Sequence, residues 1–80
     1  MSQEFVCGTF VVGLKQSLKM IKAQKVSKVY LASDADYYLS SKVSDECIET
    51  GTDMEVSYSM SELGKKCKIA VGAAVVAILK

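Results

Sequence analysis

The stretch Phe10-Val11-Val12-Gly13-Leu14-Lys15-Gln16-Ser17-Leu18-Lys19-Met20-Ile21 decides how this chain is read. Three β-favouring residues stop at a glycine. Beyond it, Leu14, Leu18 and Ile21 recur at helical spacing. The pattern predicts a brief strand over Phe10 to Val12 and a helix from Leu14 to about Gln24, with Gly13 at its N-terminus. Lys15, Lys19 and Lys22 form a second stripe, offset by about 100° from the apolar one. The helix is therefore expected to bury one face and to offer a cationic edge beside it.

The rest of the chain continues the alternation. Val29-Tyr30-Leu31-Ala32 reads as a buried strand. Asp34-Ala35-Asp36 ends it, and either aspartate can cap the next helix. Leu39, Val43 and Cys47 sit at i, i+4 and i+8, which predicts a helix from Tyr37 to Thr50 with Gly51 just beyond it. Met54, Val56 and Tyr58 alternate with Glu55 and Ser57, as in a strand with one wet face. Ser59-Met60-Ser61-Glu62 fits a capping box opening a short helix to Lys66 or Cys67. Lys68 to Gly72 reads as an apolar loop, and Ala73 to Leu79 as a central strand buried on both faces. Helices alternating with strands predict an α/β fold, with helices on both faces of a mixed, four-stranded sheet.

Composition sets the limits. The chain has 80 residues, half of them apolar, and a mean hydropathy of +0.22. That length suits one domain, residues 1–80, and the apolar content excludes disorder. The three cysteines, Cys7, Cys47 and Cys67, are odd in number and lack C-x-x-C spacing, so they read as small core residues rather than a disulfide framework. The longest apolar run, Ile69 to Leu79, falls well short of the roughly 20 residues a bilayer span needs. With no export signal and free thiols, a cytoplasmic location is expected. The chain contains no His, Trp, Pro or Arg. Without His, Ser-His and Cys-His nucleophile pairs and mixed His zinc sites are excluded, which argues against an enzyme.

The net charge of +1 conceals a pattern. Residues 5–33 carry Lys15, Lys19, Lys22, Lys25 and Lys28 and no acid. Residues 34–62 carry Asp34, Asp36, Asp45, Glu46, Glu49, Asp53, Glu55 and Glu62 against Lys42. Residues 63–80 carry Lys65, Lys66, Lys68 and Lys80 and no acid. If the fold unites the basic segments, the molecule has a cationic face; otherwise the lysines simply solvate helix surfaces. Gly13 at a strand-to-helix junction suits phosphate, and equally suits a tight turn. Asp34 and Asp36 could hold Mg²⁺ or could serve as caps. The aliphatics around Lys68 are either a core plug or a cover for something flat and apolar, such as an extruded base.

Four blocks carry a family likeness: Gly13-Leu14-Lys15-Gln16 opening a helix, Ala32-Ser33-Asp34-Ala35-Asp36 after a strand, Leu63-Gly64-Lys65-Lys66-Cys67, and Ile69-Ala70-Val71-Gly72-Ala73-Ala74. In this order and spacing they resemble the kink-turn RNA-binding ribosomal proteins, the archaeal large-subunit protein L-seven-Ae and its small bacterial relatives. The resemblance runs from about Val11 to Leu79. It implies a three-layer α/β/α sandwich. It also implies binding to a kink-turn, an RNA stem bent at a bulge beside tandem sheared G·A pairs. On that likeness Lys15 and Gln16 occupy the base-reading pair, Lys19 contacts the backbone, and Gly13, Leu14, Asp34 and Ala35 belong to the same surface. Lys68, Ile69, Ala70 and Val71 form the loop covering the extruded nucleotides.

The chain departs from its archaeal relatives at Lys15-Gln16, where they have Asn-Glu. It departs also at Lys68 and Ala70, where Gly and an acid are usual, and at Tyr37, where many have Pro. Lys15 can still donate to guanine O6 and N7, though as a point charge without a fork. The expected protein is a non-catalytic monomer that needs no cofactor or membrane. Its RNA would come from a ribosomal RNA or a riboswitch-type leader. The rival readings are a structural ribosomal component without kink-turn preference, a protein–protein interaction module on the same fold, and a small Mg²⁺ enzyme built on Asp34 and Asp36.

Overall fold

The structure is a computed structural model and describes residues 10–67 and 72–80. Among the described residues four strands and three helices alternate: β1 (Phe10–Val12), α1 (Leu14–Lys22), β2 (Val26–Leu31), α2 (Tyr37–Thr50), β3 (Asp53–Glu55), α3 (Met60–Lys66) and β4 (Val75–Leu79). The sheet order is β1-β4-β2-β3. β4 runs antiparallel to both β1 and β2, whereas β3 lies parallel to β2. The sheet is therefore mixed and four-stranded, as expected.

Strand alternation sorts side chains to two faces. On one face Val29, Leu31, Val75 and Ala77 pack with Ile21 of α1 and Val43 and Cys47 of α2, all buried. On the other, Ala73 and Val76 pack with Leu63 and Cys67 of the α3 segment, with Phe10, Val12, Tyr30 and Ile78 around them. The result is three layers, with α1 and α2 on one side and α3 on the other. Each fully buried Val, Leu or Ile contributes on the order of 1.5–3 kcal/mol. Burial raises the pKa of both Cys47 and Cys67, because the thiolate would be desolvated; nearby Glu46 adds to the effect at Cys47. Both thiols are free and buried. Cys7 lies outside the described residues.

Several boundaries differ from the pattern reading for local reasons. α1 ends at Lys22 rather than Gln24, because the chain reverses there: Gln24 takes φ 58°, its N–H donates to Ile21 O, and the Lys25 N–H donates to Met20 O. That is a Schellman closure with glutamine in the left-handed position. β2 starts at Val26, earlier than the apolar run, with Ser27 and Lys28 inside it and a register shift between Val26 and Lys28. β3 stops at Glu55, so the alternation through Tyr58 does not continue as a strand. The Tyr58 carbonyl instead accepts from the Ser33 N–H at 2.7 Å. β4 begins at Val75 rather than Ala73. α2 keeps its predicted bounds, closed by Gly51 at φ 71°.

Candidate functional site

One end of the sheet gathers the chain segments that carry the expected site. β1 and β2 both finish there and β4 begins there, since Val12 pairs with Val76 and Leu31 with Val75. β3, parallel to β2, finishes there as well. All three helices consequently start at this end. Local hydrogen bonds tie the segments together. Gly13 N donates to Val75 O at 3.0 Å, Ala32 N to Ala74 O at 2.8 Å, and Ala73 N to Met60 O at 3.0 Å. In an open α/β sheet the strand ends feeding the helices are where ligands bind.

Gly13 sets the entry to α1. Its φ of 106° with ψ of 155° lies in a region that L side chains avoid, and no side chain caps the helix. The first-turn N–H groups are therefore left for solvent or a ligand. Leu14 turns inward onto the larger core cluster. Lys15, Gln16 and Lys19 are exposed, while Ser17 and Ile21 are buried. The helix thus displays its polar stripe and buries the adjacent one, as its spacing predicts.

The two aspartates divide their work. Asp36 caps α2: its Oδ1 accepts from the N–H groups of Tyr38 at 2.7 Å and Leu39 at 3.2 Å. Asp34 reaches across the chain instead, its Oδ1 accepting from the Met60 N–H at 2.8 Å, so it clamps the start of α3. Both carboxylates are engaged with backbone, and among the described residues no group of three or more His, Cys, Asp or Glu could hold a metal ion. Ala35 packs against both core clusters, linking the two faces at this end. Ser59 and Glu62 complete the capping box: Ser59 N donates to Glu62 Oε1 at 2.9 Å and Glu62 N to Ser59 Oγ at 3.2 Å.

Lys68, Ile69, Ala70 and Val71 lie outside the described residues. Their C-terminal anchor does not. Gly72 sits so close to Met60 that a Cβ there would lie 3.2 Å from the Met60 carbonyl oxygen. Gly72 therefore stands at the site end, by the start of α3 that Asp34 clamps.

The lysines are distributed more widely than the linear charge map indicates. Lys15, Lys19 and Lys22 lie on α1, and Lys65 and Lys66 near the C-terminus of α3 on the opposite face. Lys80 stands at the far end of the sheet, its N–H donating to Lys25 O at 2.9 Å. Lys28 is paired with Glu55 at 2.7 Å. The hydrogen bond from Lys28 lowers the Glu55 pKa, with Ser57 assisting, and the same bond to Glu55 raises the Lys28 pKa. Among the described residues, the α1 stripe is thus the run of lysines that starts at the shared end of the sheet.

The model for the ribosomal protein L7Ae/L30e/S12e/Gadd45 family matches residues 5–80. A chain from Bacillus pumilus (strain SAFR-032), named RNA-binding protein, is 42% identical over 71 residues, covering 89% of this chain and 87% of that one. The RNA-binding protein YbxF of Geobacillus stearothermophilus is 42% identical over 73 residues, covering 91% and 89%. Among solved structures, the Giardia lamblia 15.5kD RNA binding protein superposes with a TM-score of 0.83 at 26% identity, covering 89% of this chain and 60% of that one. A protein of unknown function from Bacillus halodurans superposes equally well, at 0.83 and 22% identity. On the extent of the family match and the identity to these relatives, this chain belongs to the ribosomal protein L7Ae/L30e/S12e/Gadd45 family.

Proposed function

We infer that the chain is a non-catalytic RNA-binding protein of this family, and that the RNA it recognises is a kink-turn. The observation that carries this is the start of α1. Lys15 and Gln16 stand exposed in the first turn after Gly13, with Lys19 one turn on, at the end of the sheet where the other two helices also begin. Lys15 offers a donor to guanine O6 and N7. Gln16 offers both an acceptor and a donor for a base edge. Lys19 lies one turn along, spaced to meet the phosphate backbone.

Kinking an RNA stem brings phosphates together, so free RNA resists it. A protein that neutralises those phosphates and covers the exposed bases shifts the population toward the bent form. Gly13, Leu14 and Ala35 shape this surface, Asp34 braces it, and the loop Lys68-Ile69-Ala70-Val71 is assigned to the extruded nucleotides by family likeness. The curated relatives' names support the RNA class. The test is a gel-shift titration of a kink-turn stem beside the same stem lacking the bulge. Tighter binding to the bulged stem is expected, and equal affinity across a salt series would reduce the site to a generic cationic patch.

A further inference from the structure

Two large aromatic side chains stand exposed in the first turn of α2, directly after the Asp36 cap: Tyr37 at 85% and Tyr38 at 65% of full exposure. An exposed Tyr contributes little to the fold and keeps a flat apolar face in water. The two are not equivalent. Consecutive helical residues point about 100° apart, whereas residues four apart share a stripe. Tyr38 shares its stripe with Lys42, whose Nζ sits 5.1 Å from the Tyr38 ring centroid. Lys42 in turn faces α1, lining a shallow cleft with Leu18, Lys22, Asp45 and Glu46. Because α1 and α2 both start at the site end, Tyr38 stands one turn nearer that end than Lys42, as Lys15 and Lys19 do on α1 relative to Lys22. Tyr37 points to a different flank of α2.

We propose that Tyr38, with Lys42 behind it, extends the nucleic-acid surface from α1 onto α2 as a stacking platform for one unpaired nucleotide next to the bound stem. This rests on the RNA-binding reading above. The chemistry fits a nucleotide. Lys42 sits over one face of the Tyr38 ring, so a base, whatever its identity, would stack on the other face, and the lysine behind the ring attracts the attached phosphate. Lys22 and Lys42 supply positive charge along the seam. Asp45 and Glu46 close it on the side away from the site, which limits the platform to a single nucleotide at the α2 N-terminus. Asp36 lies next to Tyr38, but its carboxylate is satisfied by the Tyr38 and Leu39 N–H groups and by the positive helix end.

The test compares a kink-turn stem carrying a short unpaired flank with the same stem ended blunt, titrated against the whole protein. Tyr38→Ala and Lys42→Ala should each weaken binding of the flanked stem, Tyr38→Ala by about fivefold or more, the low end of what a lost base–aromatic stack costs. Neither should change blunt-stem affinity by more than about twofold. Tyr38→Phe should retain binding, Tyr38→Leu should not, and Tyr37→Ala should bind as the parent does. All three side chains are exposed, and melting curves check that each of the five variants folds. If the parent protein prefers the bulged stem while Tyr38→Ala leaves flanked-stem affinity unchanged, the platform is wrong and the site on α1 stands; the exposed tyrosine then belongs to a protein partner. If Tyr38→Leu matches the parent, the contact is apolar rather than a stack and the proposal falls. If the parent shows no preference for the bulged stem, the underlying reading falls and takes the platform with it.

Discussion

Lys15 and Lys80 show how much position decides a lysine's role. Both are exposed. Lys15 opens α1 at the end of the sheet where three helices start, whereas Lys80 is tethered through its backbone to Lys25 at the opposite end. Lys15→Ala should therefore cost on the order of 1–3 kcal/mol of binding and relax the preference for the bulged stem, while Lys80→Ala costs much less. Paired titrations check this, and matching losses would remove Lys15 as a base reader. Lys28 and Glu55 illustrate a lysine withdrawn from the RNA pool. The Glu55 pKa is lowered in the folded chain, so its stabilising share is present above the ordinary carboxylate range and disappears as pH falls through that lowered value. The Lys28 pKa is raised, so its share is present below the ordinary lysine value and disappears as pH rises through the raised one. Both shares are complete around neutrality. Glu55→Gln should lower the melting temperature at pH 7, and the gap to the parent should close as the buffer is acidified below the Glu55 pKa.

At the scale of elements, most boundaries follow from local rules. The capping box at Ser59 and Glu62, the left-handed Gly51 and the i, i+4, i+8 apolar series of α2 are complete in the sequence, and the structure forms each of them. Asp34 and Asp36 are different. Either could cap α2 by type and spacing; what separates them is a contact 26 residues away, the Met60 N–H that Asp34 accepts. Asp36→Ala should destabilise the fold by about 1 kcal/mol through loss of the cap, measured by urea denaturation. Lys28 hid the first half of β2, because a charged residue in a strand looks like a boundary until its partner Glu55 arrives from β3. The alternation from Met54 to Tyr58 holds neither in pairing nor in facing: Met54 packs on the α1/α2 cluster and Tyr58 on the α3 cluster, on the opposite face of the sheet. β3 has β2 as its neighbour only across Lys28 to Tyr30, and Val56 stands 47% exposed beyond the last pair.

For the whole molecule, the α/β class and the mixed sheet were legible because each helix shows one apolar stripe and β4 is apolar throughout. Strand order was not, since it depends on which edges pair. The charge map shows two lysine-bearing segments flanking an acidic one without showing where they lie in space. Only the topology shows that α3's lysines lie on the face opposite α1 and that the start of α1, the Asp34–Asp36 turn and Gly72 share one end. On the kink-turn function proposed above, a bent RNA would meet that end, with positive charge along α1 to offset its crowded phosphates. The central claim is that the protein selects the bent RNA. It is tested most directly by energy transfer between dyes on the two ends of a kink-turn stem, in buffer too low in salt for the free RNA to bend. Adding the protein should raise transfer to a saturating plateau, with no change for the stem lacking the bulge. Binding that saturates without any gain in transfer would contradict the account.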